Sequence, residues 1–337
     1  MPSRRRFLSA ALSGATATVL PSVEAAQSPT TPLPPDIAIH DDADLDRHLA
    51  ALSNWGRWGP DDQLGTLNYI TPAMRLAAVK LVRTGHIIPL AREIPVAAAD
   101  GVRRQTYEMR SYTDALPEES GCIDYIGMVY HGFAITHLDA LCHLFTPEGK
   151  QGMYNGFPIS AVTPQGATKL GVEVMGAQGI AGRGVLLDIA ALKGGPLPPG
   201  STIWPADLDA AERAQKLVVR EGDILFIRNG AGARNALKLG TGLHASCLPW
   251  LRERRIAVVS SDSDSDVHPA PPGFKRWTEP VHMVAIPYLG LPILDNTDLD
   301  ALALHCAQEG RWEFFVTVGP WRFKGATSSP VNPIAMF

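Results

Sequence analysis

The sequence predicts a single α/β domain in which helices flank a mixed β-sheet. The chain has 337 residues, of which 45% are hydrophobic and 19% charged, so it can bury a large core and is not generally disordered. Short apolar runs rich in β-branched residues alternate with amphipathic helical segments along its body, without a fixed repeat length. These observations indicate one domain, which we place at residues 46–337.

Five segments have the composition of short buried strands. Each is an apolar run rich in Val, Ile, Leu or Phe, which is typical of a strand that is covered on both faces. In chain order they are residues 86–94, 184–192, 223–230, 256–262 and 314–321.

Four segments have the apolar spacing of amphipathic helices. In chain order they are residues 72–82, 206–218, 242–255 and 296–310. Thr71 and Pro72 predict the start of the first helix, and Gly85 follows its end. An Asn296–Thr297 cap is expected to begin the last helix, and Gly310 to end it.

Residues 1–26 predict a twin-arginine export signal. Paired arginines, Arg4 and Arg5, precede an apolar run of small residues, and Val23–Ala25 has the character of a cleavage site. The alternative is the basic start of an ordinary helix. Residues 27–45 are proline-rich and predict an extended tether. We therefore expect a periplasmic protein.

Composition and charge argue against several classes of protein. The formal net charge of −4 disfavours a nucleic-acid partner, which would require a basic face. No interior run reaches 18 apolar residues, so no membrane span is predicted. The four cysteines are too scattered for a disulfide scaffold, and no CxxC pair predicts a cysteine zinc site. The sequence also lacks the Gly-x-Ser-x-Gly motif of serine hydrolases and the glycine-rich loops that bind nucleotides.

The segment HGFAITHLDALCH, residues 131–143, carries three of the ten histidines. On a strand, His137 and Asp139 point to one face, and His143 lies on the same side if the chain turns helical after Asp139. Two imidazoles and a carboxylate around one point suit zinc or manganese. The alternative is a set of unrelated structural histidines, but their density favours a divalent metal site.

Further ligands are expected from elsewhere in the chain, because two or three ligands leave a metal shell open. His282 and Asp295 are the candidates, since each stands beside a hydrophobic, strand-like run. An ionisable side chain is costly there unless it is paired or bound. A satisfied structural role is the alternative for both.

The segment THLDALCH resembles the metal-dependent cyclase family, which includes bacterial kynurenine formamidase, isatin hydrolase and trans-dienelactone hydrolase. Supporting segments are WGRWGPDDQLGTLN at 55–68, GDILFIRNG at 222–230, and the later VH and ILDNTDLDAL. The family signature is H-x-G-T-H-x-D-x-x-x-H, followed far downstream by a His and an acidic residue. The resemblance implies the swivelling β/β/α-like fold of the cyclase family.

The resemblance also implies roles for individual residues. Thr136, His137, Asp139 and His143 fall on the last four named positions of the signature. The family's second His and its Asp hold metal, and its last His donates and accepts protons. His282 and Asp295 fall on the downstream His and acid, with Asp where Glu is usual and one extra residue between them.

The chain departs from the signature at its first histidine, which falls on Phe133, while the signature Gly falls on Ile135. His131 lies two residues earlier on the same strand parity and is a candidate replacement ligand. On an extended strand it would lie about 20 Å from His137, so coordination requires a bend between Gly132 and Ile135. A substrate-facing or supporting role for His131 is the alternative.

Three residues are candidates for contact with the substrate: Trp58, Phe133 and His244. The formamidases use a tryptophan near the N-terminus as an aromatic wall, and the resemblance favours this role for Trp58; the alternative is a core pair of Trp55 and Trp58. A histidine at a helix start, such as His244, is often structural.

The alternating aspartates Asp262, Asp264 and Asp266 have the spacing of the start of a calcium loop, but Val267 and Gly273 stand where that loop requires Gly and Glu. We expect these aspartates to meet solvent or a neighbouring helix terminus instead.

We therefore expect a metal-dependent hydrolase that cleaves an amide or lactone bond, such as that of an aryl formamide, a cyclic amide or a small lactone. Water activated by Mn²⁺ or Zn²⁺ would attack the carbonyl, and His143 would carry the proton. The alternatives are a non-hydrolytic cyclase, dehydratase or isomerase, and a periplasmic metal- or ligand-binding protein. The expected partners are a small-molecule substrate and further copies of the chain, in a dimer or tetramer.

Overall fold

The computed structural model describes residues 33, 37–94, 107–112, 123–147, 152–231 and 240–337. The predicted export signal lies outside the described residues, and so do residues 27–32 and 34–36 of the predicted tether. The first described helix begins at Asp42, within the 27–45 range assigned to the tether.

Nine strands form the central sheet of the described chain. Numbered in chain order, and given in their order across the sheet, they are β1 (Ile87–Pro89), β15 (Ile334–Met336), β13 (Glu313–Val318), β7 (Ile180–Asp188), β9 (Ile224–Arg228), β11 (Val258–Ser261), β12 (Ile293–Asp295), β4 (His137–Asp139) and β14 (Ser328–Pro330). Strands β7, β9, β11 and β12 run parallel, whereas β4 is antiparallel to both of its neighbours. The predicted mixed sheet is confirmed.

Three two-stranded ribbons accompany the central sheet in the described residues: β2 (Tyr107–Tyr112) with β3 (Ile123–Met128), β5 (Val162–Thr163) with β6 (Gly166–Ala167), and β8 (Thr202–Ile203) with β10 (Gly242–Leu243). The β2–β3 pair is an antiparallel hairpin in which Tyr107 pairs with Met128.

The described α-helices flank the sheet and are numbered α1 (Asp42–Leu52), α2 (Pro72–Val79), α3 (Val172–Gln178), α4 (Ile189–Leu192), α5 (Pro205–Gln215), α6 (Cys247–Arg254), α7 (Pro280–Val284) and α8 (Asp300–Glu309). Short 3₁₀ turns cover Gly65–Tyr69, Tyr154–Gly156 and Ile159–Ala161, and a π-helical turn covers Ala285–Leu289. Among the described helices, none has the length and apolarity that a bilayer crossing requires.

Each of the five predicted strand segments overlaps a strand of the central sheet. The expected burial on both faces is wrong for β1, which has exposed residues, and for β13, where buried positions alternate with partly buried ones. Strand β11, by contrast, is buried at every position, as expected for a parallel strand covered on both faces. The 184–192 segment is strand only as far as Asp188 and then forms the short helix α4.

The four predicted helices are present, but each is shorter than the predicted segment. The Thr71 hydroxyl accepts a hydrogen bond from the Met74 N–H, so the predicted cap of α2 is confirmed. The 242–255 segment is helical only from Cys247, since Gly242–Leu243 pairs as a strand. The predicted cap of the last helix is wrong, because α8 begins at Asp300 after a cap residue, Leu299, that makes no side-chain hydrogen bond.

The three described cysteines, Cys142, Cys247 and Cys306, are all buried and free. Burial raises the pKa of each thiol, to about 12 for Cys142 and Cys306. These side chains therefore behave as small apolar residues of the core.

Candidate metal centre

The centre begins with the pairing of β4 and β12, which join two distant parts of the chain. His137 lies directly opposite Asp295 in this antiparallel pair. Asp139 lies on the same strand face as His137, and His137 Nε2 is 3.6 Å from Asp139 Oδ1. The other ring nitrogen, His137 Nδ1, lies 2.8 Å from the Ile135 carbonyl oxygen. Donation from Nδ1 to that carbonyl leaves the Nε2 lone pair free for a metal.

His131 reaches the same carboxylate because the chain bends sharply before β4. Gly132 has a φ of +127°, a conformation that favours glycine, and Asn296 Nδ2 donates to the Gly132 carbonyl oxygen at 2.6 Å. As a result His131 Nδ1 lies 3.3 Å from Asp139 Oδ1, and the His131 and His137 ring centroids are 5.5 Å apart. The extended-strand separation of about 20 Å therefore does not apply.

Two atoms at this point are buried without a hydrogen-bond partner among the described residues: Asp139 Oδ1 and His131 Nδ1. Buried polar atoms are nearly always satisfied, and a buried carboxylate oxygen is costly to leave alone. The opposite ring nitrogen, His131 Nε2, lies 3.2 Å from Thr327 Oγ1, which holds the ring with Nδ1 toward Asp139. These two unpaired atoms lie beside His137 Nε2, and the three together could serve as ligands of a divalent cation.

A second triad shares Asp139 and is completed by His282 and Asp295. His282 Nε2 lies 3.8 Å from Asp139 Oδ2 and 2.9 Å from Asp295 Oδ2. In the first triad (His131, His137 and Asp139) and in this second triad, all potential ligand atoms lie within 4.8 Å of one another. Two ligands about 2.1 Å from one ion are at most about 4.2 Å apart, so only small adjustments separate either triad from coordination.

His143 lies beside the two triads. It is on a tight turn rather than on the predicted helix, since its N–H donates a hydrogen bond to the Ala140 carbonyl oxygen at 2.9 Å. His143 Nε2 is 3.8 Å from Asp139 Oδ2, and its ring stacks on His131 with centroids 4.2 Å apart. Burial lowers the pKa of His143 to about 4, although the Asp139 charge opposes the shift. The ring is therefore neutral near pH 7 and able to accept a proton.

The pKa values of the two carboxyl groups of the centre, Asp139 and Asp295, are shifted in opposite directions. Burial by itself would raise the pKa of Asp139, but the charges of His143 and His137 outweigh burial and hold that pKa well below its usual range. Burial raises the pKa of Asp295, with His282 opposing the rise. Burial would lower the pKa of His282, but Asp295 and its other carboxylate neighbours outweigh burial and raise it well above its usual value.

Sequence reasoning missed several residues of the centre, including Asn296, which holds the Gly132 bend. It also missed the contact between Asp266 and His282, in which His282 Nδ1 lies 2.7 Å from Asp266 Oδ2. The expectation that the alternating aspartates meet a helix terminus is confirmed for Asp266. This side chain accepts hydrogen bonds from the Val281 and His282 N–H groups of α7. The sequence held a signal for this contact, because the alternating aspartates directly follow β11. His282 itself lies on α7 rather than beside a strand.

Phe133, which occupies the position of the signature's first histidine, packs edge-on against His268 with ring centroids 5.5 Å apart. His268 Nε2 lies 3.2 Å from Asp264 Oδ2. Burial lowers the pKa of His268, but Asp264 outweighs burial and raises it overall. Phe133 thus packs on the histidine that contacts Asp264.

Trp58 and His244, the other candidates for substrate contact, have aromatic neighbours of their own. Trp58 packs edge-on against Tyr69 with ring centroids 5.0 Å apart. His244 stacks on Trp204 at 4.1 Å and packs edge-on against Phe274 at 5.6 Å. None of these ring contacts involves a candidate metal ligand.

The sequence matches the family model named Cyclase, described as "Putative cyclase", over residues 55–265. This match covers more than half of the chain and includes residues 131–143 (the β4 motif), so the protein belongs to the cyclase family. No curated protein matches the sequence.

Solved structures agree with this membership. The crystal structure of a novel cyclase is 35% identical, has a TM-score of 0.73, and matches 85% of this chain and 99% of that one. Isatin hydrolase A from Labrenzia aggregata, bound to benzyl benzoate, is 18% identical with a TM-score of 0.54, over 79% of this chain and 98% of that one. An isatin hydrolase bound to the product analogue thioisatinate is 15% identical with a TM-score of 0.54, at the same coverage. The two isatin hydrolases share the fold.

Proposed function

We propose that this protein is a metal-dependent hydrolase that cleaves an amide or lactone bond in a small molecule, such as an aryl formamide, a cyclic amide or a small lactone. One observation carries the proposal: the buried Asp139 joins two triads of potential ligands, and two potential ligand atoms there, Asp139 Oδ1 and His131 Nδ1, lack hydrogen-bond partners among the described residues. Family membership and the shared fold of isatin hydrolases support it.

His131, His137 and Asp139 would hold one divalent ion, and His282 and Asp295 would extend the site from the other oxygen of Asp139. Both Zn²⁺ and Mn²⁺ are bound by imidazole and carboxylate ligands, so metal availability would decide between them. When bound, the ion supplies Lewis acidity, which lowers the pKa of water from 15.7 toward about 7 and polarises a carbonyl group.

The protein's own residues supply orientation and proton transfer. Hydrogen bonds to the Ile135 carbonyl and to Thr327 hold His137 and His131 with a free nitrogen toward Asp139. His143 stands beside these ligands as a neutral imidazole. It would accept a proton from the attacking water at Nε2 and return it to the leaving nitrogen or oxygen.

Two measurements test the proposal. Mass spectrometry of protein purified without added metal should find zinc or manganese. The metal-loaded protein should then hydrolyse at least one of N-formylkynurenine, isatin and a dienelactone, with a proton released per turnover that a pH dye records. Turnover without proton release would favour the cyclase or isomerase alternative. Metal binding without turnover of any of these compounds would favour a binding protein.

A further inference from the structure

We infer that Asp266 is a positioning residue of the metal centre, which holds the His282 ring so that Nε2 faces Asp139 and Asp295. The inference rests on the proposed function, because it concerns the orientation of a proposed metal ligand. Nothing in the family signature points to Asp266, and its role follows from contacts on both sides of the His282 ring.

The contacts of Asp266 fix His282 at its backbone and at its ring. Asp266 Oδ2 accepts a hydrogen bond from the backbone N–H of His282 at 2.9 Å, and it lies 2.7 Å from the ring nitrogen His282 Nδ1. Asp266 Oδ1 accepts the neighbouring Val281 N–H at 2.8 Å. Asp266 is fully buried, at 0% exposure, so water does not compete for these bonds. A carboxylate that accepts a proton from one ring nitrogen fixes the tautomer and directs the other nitrogen to a metal.

Ser265, the residue before Asp266, supports Asp295, another potential ligand of the second triad. Ser265 Oγ donates to Asp295 Oδ1 at 2.7 Å, and the other oxygen, Asp295 Oδ2, faces His282. One short segment after β11 therefore orients both His282 and Asp295 from behind. This arrangement explains why two charged side chains are tolerated in an interior where each is less than a tenth exposed.

Asp266 could instead be a ligand of a separate ion, since Asp264, Asp266 and His282 also form a compact group. The hydrogen bonds argue against that role. Both oxygens of Asp266 already face donors of α7, and Asp264 Oδ1 accepts the Asp266 N–H at 2.9 Å. His282 Nδ1 cannot both donate to Asp266 and bind a metal, so this group supports the second triad.

A purely structural role is the competing explanation, because Asp266 also satisfies backbone N–H groups of α7. Asp262 provides the matched control for it. Asp262 lies on the same segment, is 1% exposed, and accepts the N–H groups of Asn229 and Gly230 at 2.9 and 2.8 Å. Its substitution by asparagine removes a carboxylate oxygen that accepts from a backbone N–H group, as Asp266→Asn does, without touching the His282 ring.

The test compares Asp266→Asn, Asp262→Asn, His282→Ala and the wild-type protein. Chelator competition would measure their affinity for Zn²⁺, and the absorption spectrum of Co²⁺-loaded protein would report the ligand geometry. We expect Asp266→Asn to weaken metal binding about 10–100-fold and to change the Co²⁺ spectrum, whereas Asp262→Asn keeps wild-type values. His282→Ala should show the result of losing this ligand completely.

Wild-type affinity and an unchanged spectrum in Asp266→Asn would overturn the inference alone. An equal loss in Asp262→Asn would also overturn it, because the segment rather than the ring contact would then be responsible. A wild-type protein that binds no metal would overturn the proposed function, and the inference with it. If Asp266→Asn does not fold, nitrogen NMR of cadmium-loaded wild-type protein decides: coordination through His282 Nε2 supports the inference, and coordination through Nδ1 overturns it.

Discussion

Asp139 is 1% exposed, and four imidazoles surround its carboxylate. Oδ1 faces His131 and His137, and Oδ2 faces His143 and His282. A buried carboxylate in this setting is stabilised by positive charge, which either protonated histidines or a metal ion can supply. Near pH 7 the low pKa of His143 leaves its ring neutral, whereas the raised pKa of His282 favours its protonated form in the metal-free protein.

The role of His131 can be tested at the residue where the chain departs from the family signature. Since His131 Nδ1 lies 3.3 Å from Asp139 Oδ1 and lacks a hydrogen-bond partner among the described residues, we expect His131→Ala to lose metal from the first triad. Metal content and kcat/KM should be measured together, with His137→Ala as the reference for ligand loss. Unchanged metal content with a raised KM would assign His131 to the substrate instead.

His143 should behave differently from the ligands. Its ring stands beside Asp139 but would carry protons, so His143→Ala is expected to lower kcat about 10²–10⁴-fold while the metal stays bound. Single-turnover kinetics and metal analysis of the same preparation provide the check. If the variant lost its metal, His143 would be a ligand and the proposed proton transfer would need another group.

The Asp262 carboxyl group is expected to make the unfolding free energy depend on pH, and this dependence can be measured without a turnover assay. Burial raises its pKa to about 6, although the Asn229 and Gly230 N–H groups oppose the rise. An unfolded Asp titrates near 3.9, so the folded state binds this proton more tightly. The resulting stabilisation is complete below about pH 4 and is lost as the pH rises through about 6.

We therefore expect the metal-free wild-type protein to lose up to about 3 kcal/mol of unfolding free energy relative to Asp262→Asn between about pH 4 and pH 6. Urea unfolding of both proteins across this range measures the difference, and all shared titrations cancel in the comparison. A difference that did not vary with pH would show that Asp262 is not protonated in the folded state.

At the scale of elements, the short strand β4 depends on the bend before it. Gly132 has a φ of +127°, which an L-residue rarely adopts, so Gly132→Ala should displace His131 from Asp139. We expect a metal affinity at least about 10-fold weaker, since a displaced ligand is a lost ligand. Isothermal titration of the metal-free protein with Zn²⁺ would measure the change.

Gly194→Ala is the control for backbone strain alone. Gly194 has a φ of +82°, and nothing lies within 4 Å of an added Cβ. That variant should lose some stability, by about 1 kcal/mol, and keep its metal affinity. Equal affinities in the two variants would mean that the Gly132 bend does not govern the site.

At the scale of the whole molecule, the potential ligands come from the β4 motif, from α7 and from the end of β12. A metal that binds only the folded chain raises the unfolding free energy by about 2.7 kcal/mol at 100 times its Kd. We expect a chelator to lower the Tm and added Zn²⁺ or Mn²⁺ to restore it. The Tm of Asp139→Asn should not respond, and an equal response in that variant would place the stabilising ion elsewhere.

The sequence by itself was sufficient to predict the α/β class, the mixed sheet and most of its buried strands. Buried strands leave short apolar runs and amphipathic helices leave a regular apolar spacing, so these features can be recognised within a short window of sequence. The chemical character of the β4 motif was also predictable, because His137, Asp139 and His143 lie within seven residues of one another. The export signal, the tether and the oligomeric state remain predictions.

Only the tertiary structure decided how the remaining side chains meet. Asn296 looked like a helix cap, yet its side chain holds the Gly132 bend 164 residues away. Asp266 was expected to meet solvent or a helix terminus, but its contact with the His282 ring became visible only where the fold places α7 against it. Neither contact leaves a periodic trace in the sequence, because each depends on backbone positions that distant strands and helices fix together. The strand pattern therefore identified candidate ligands, and the packing of β4, β12 and α7 determined which atoms face one another.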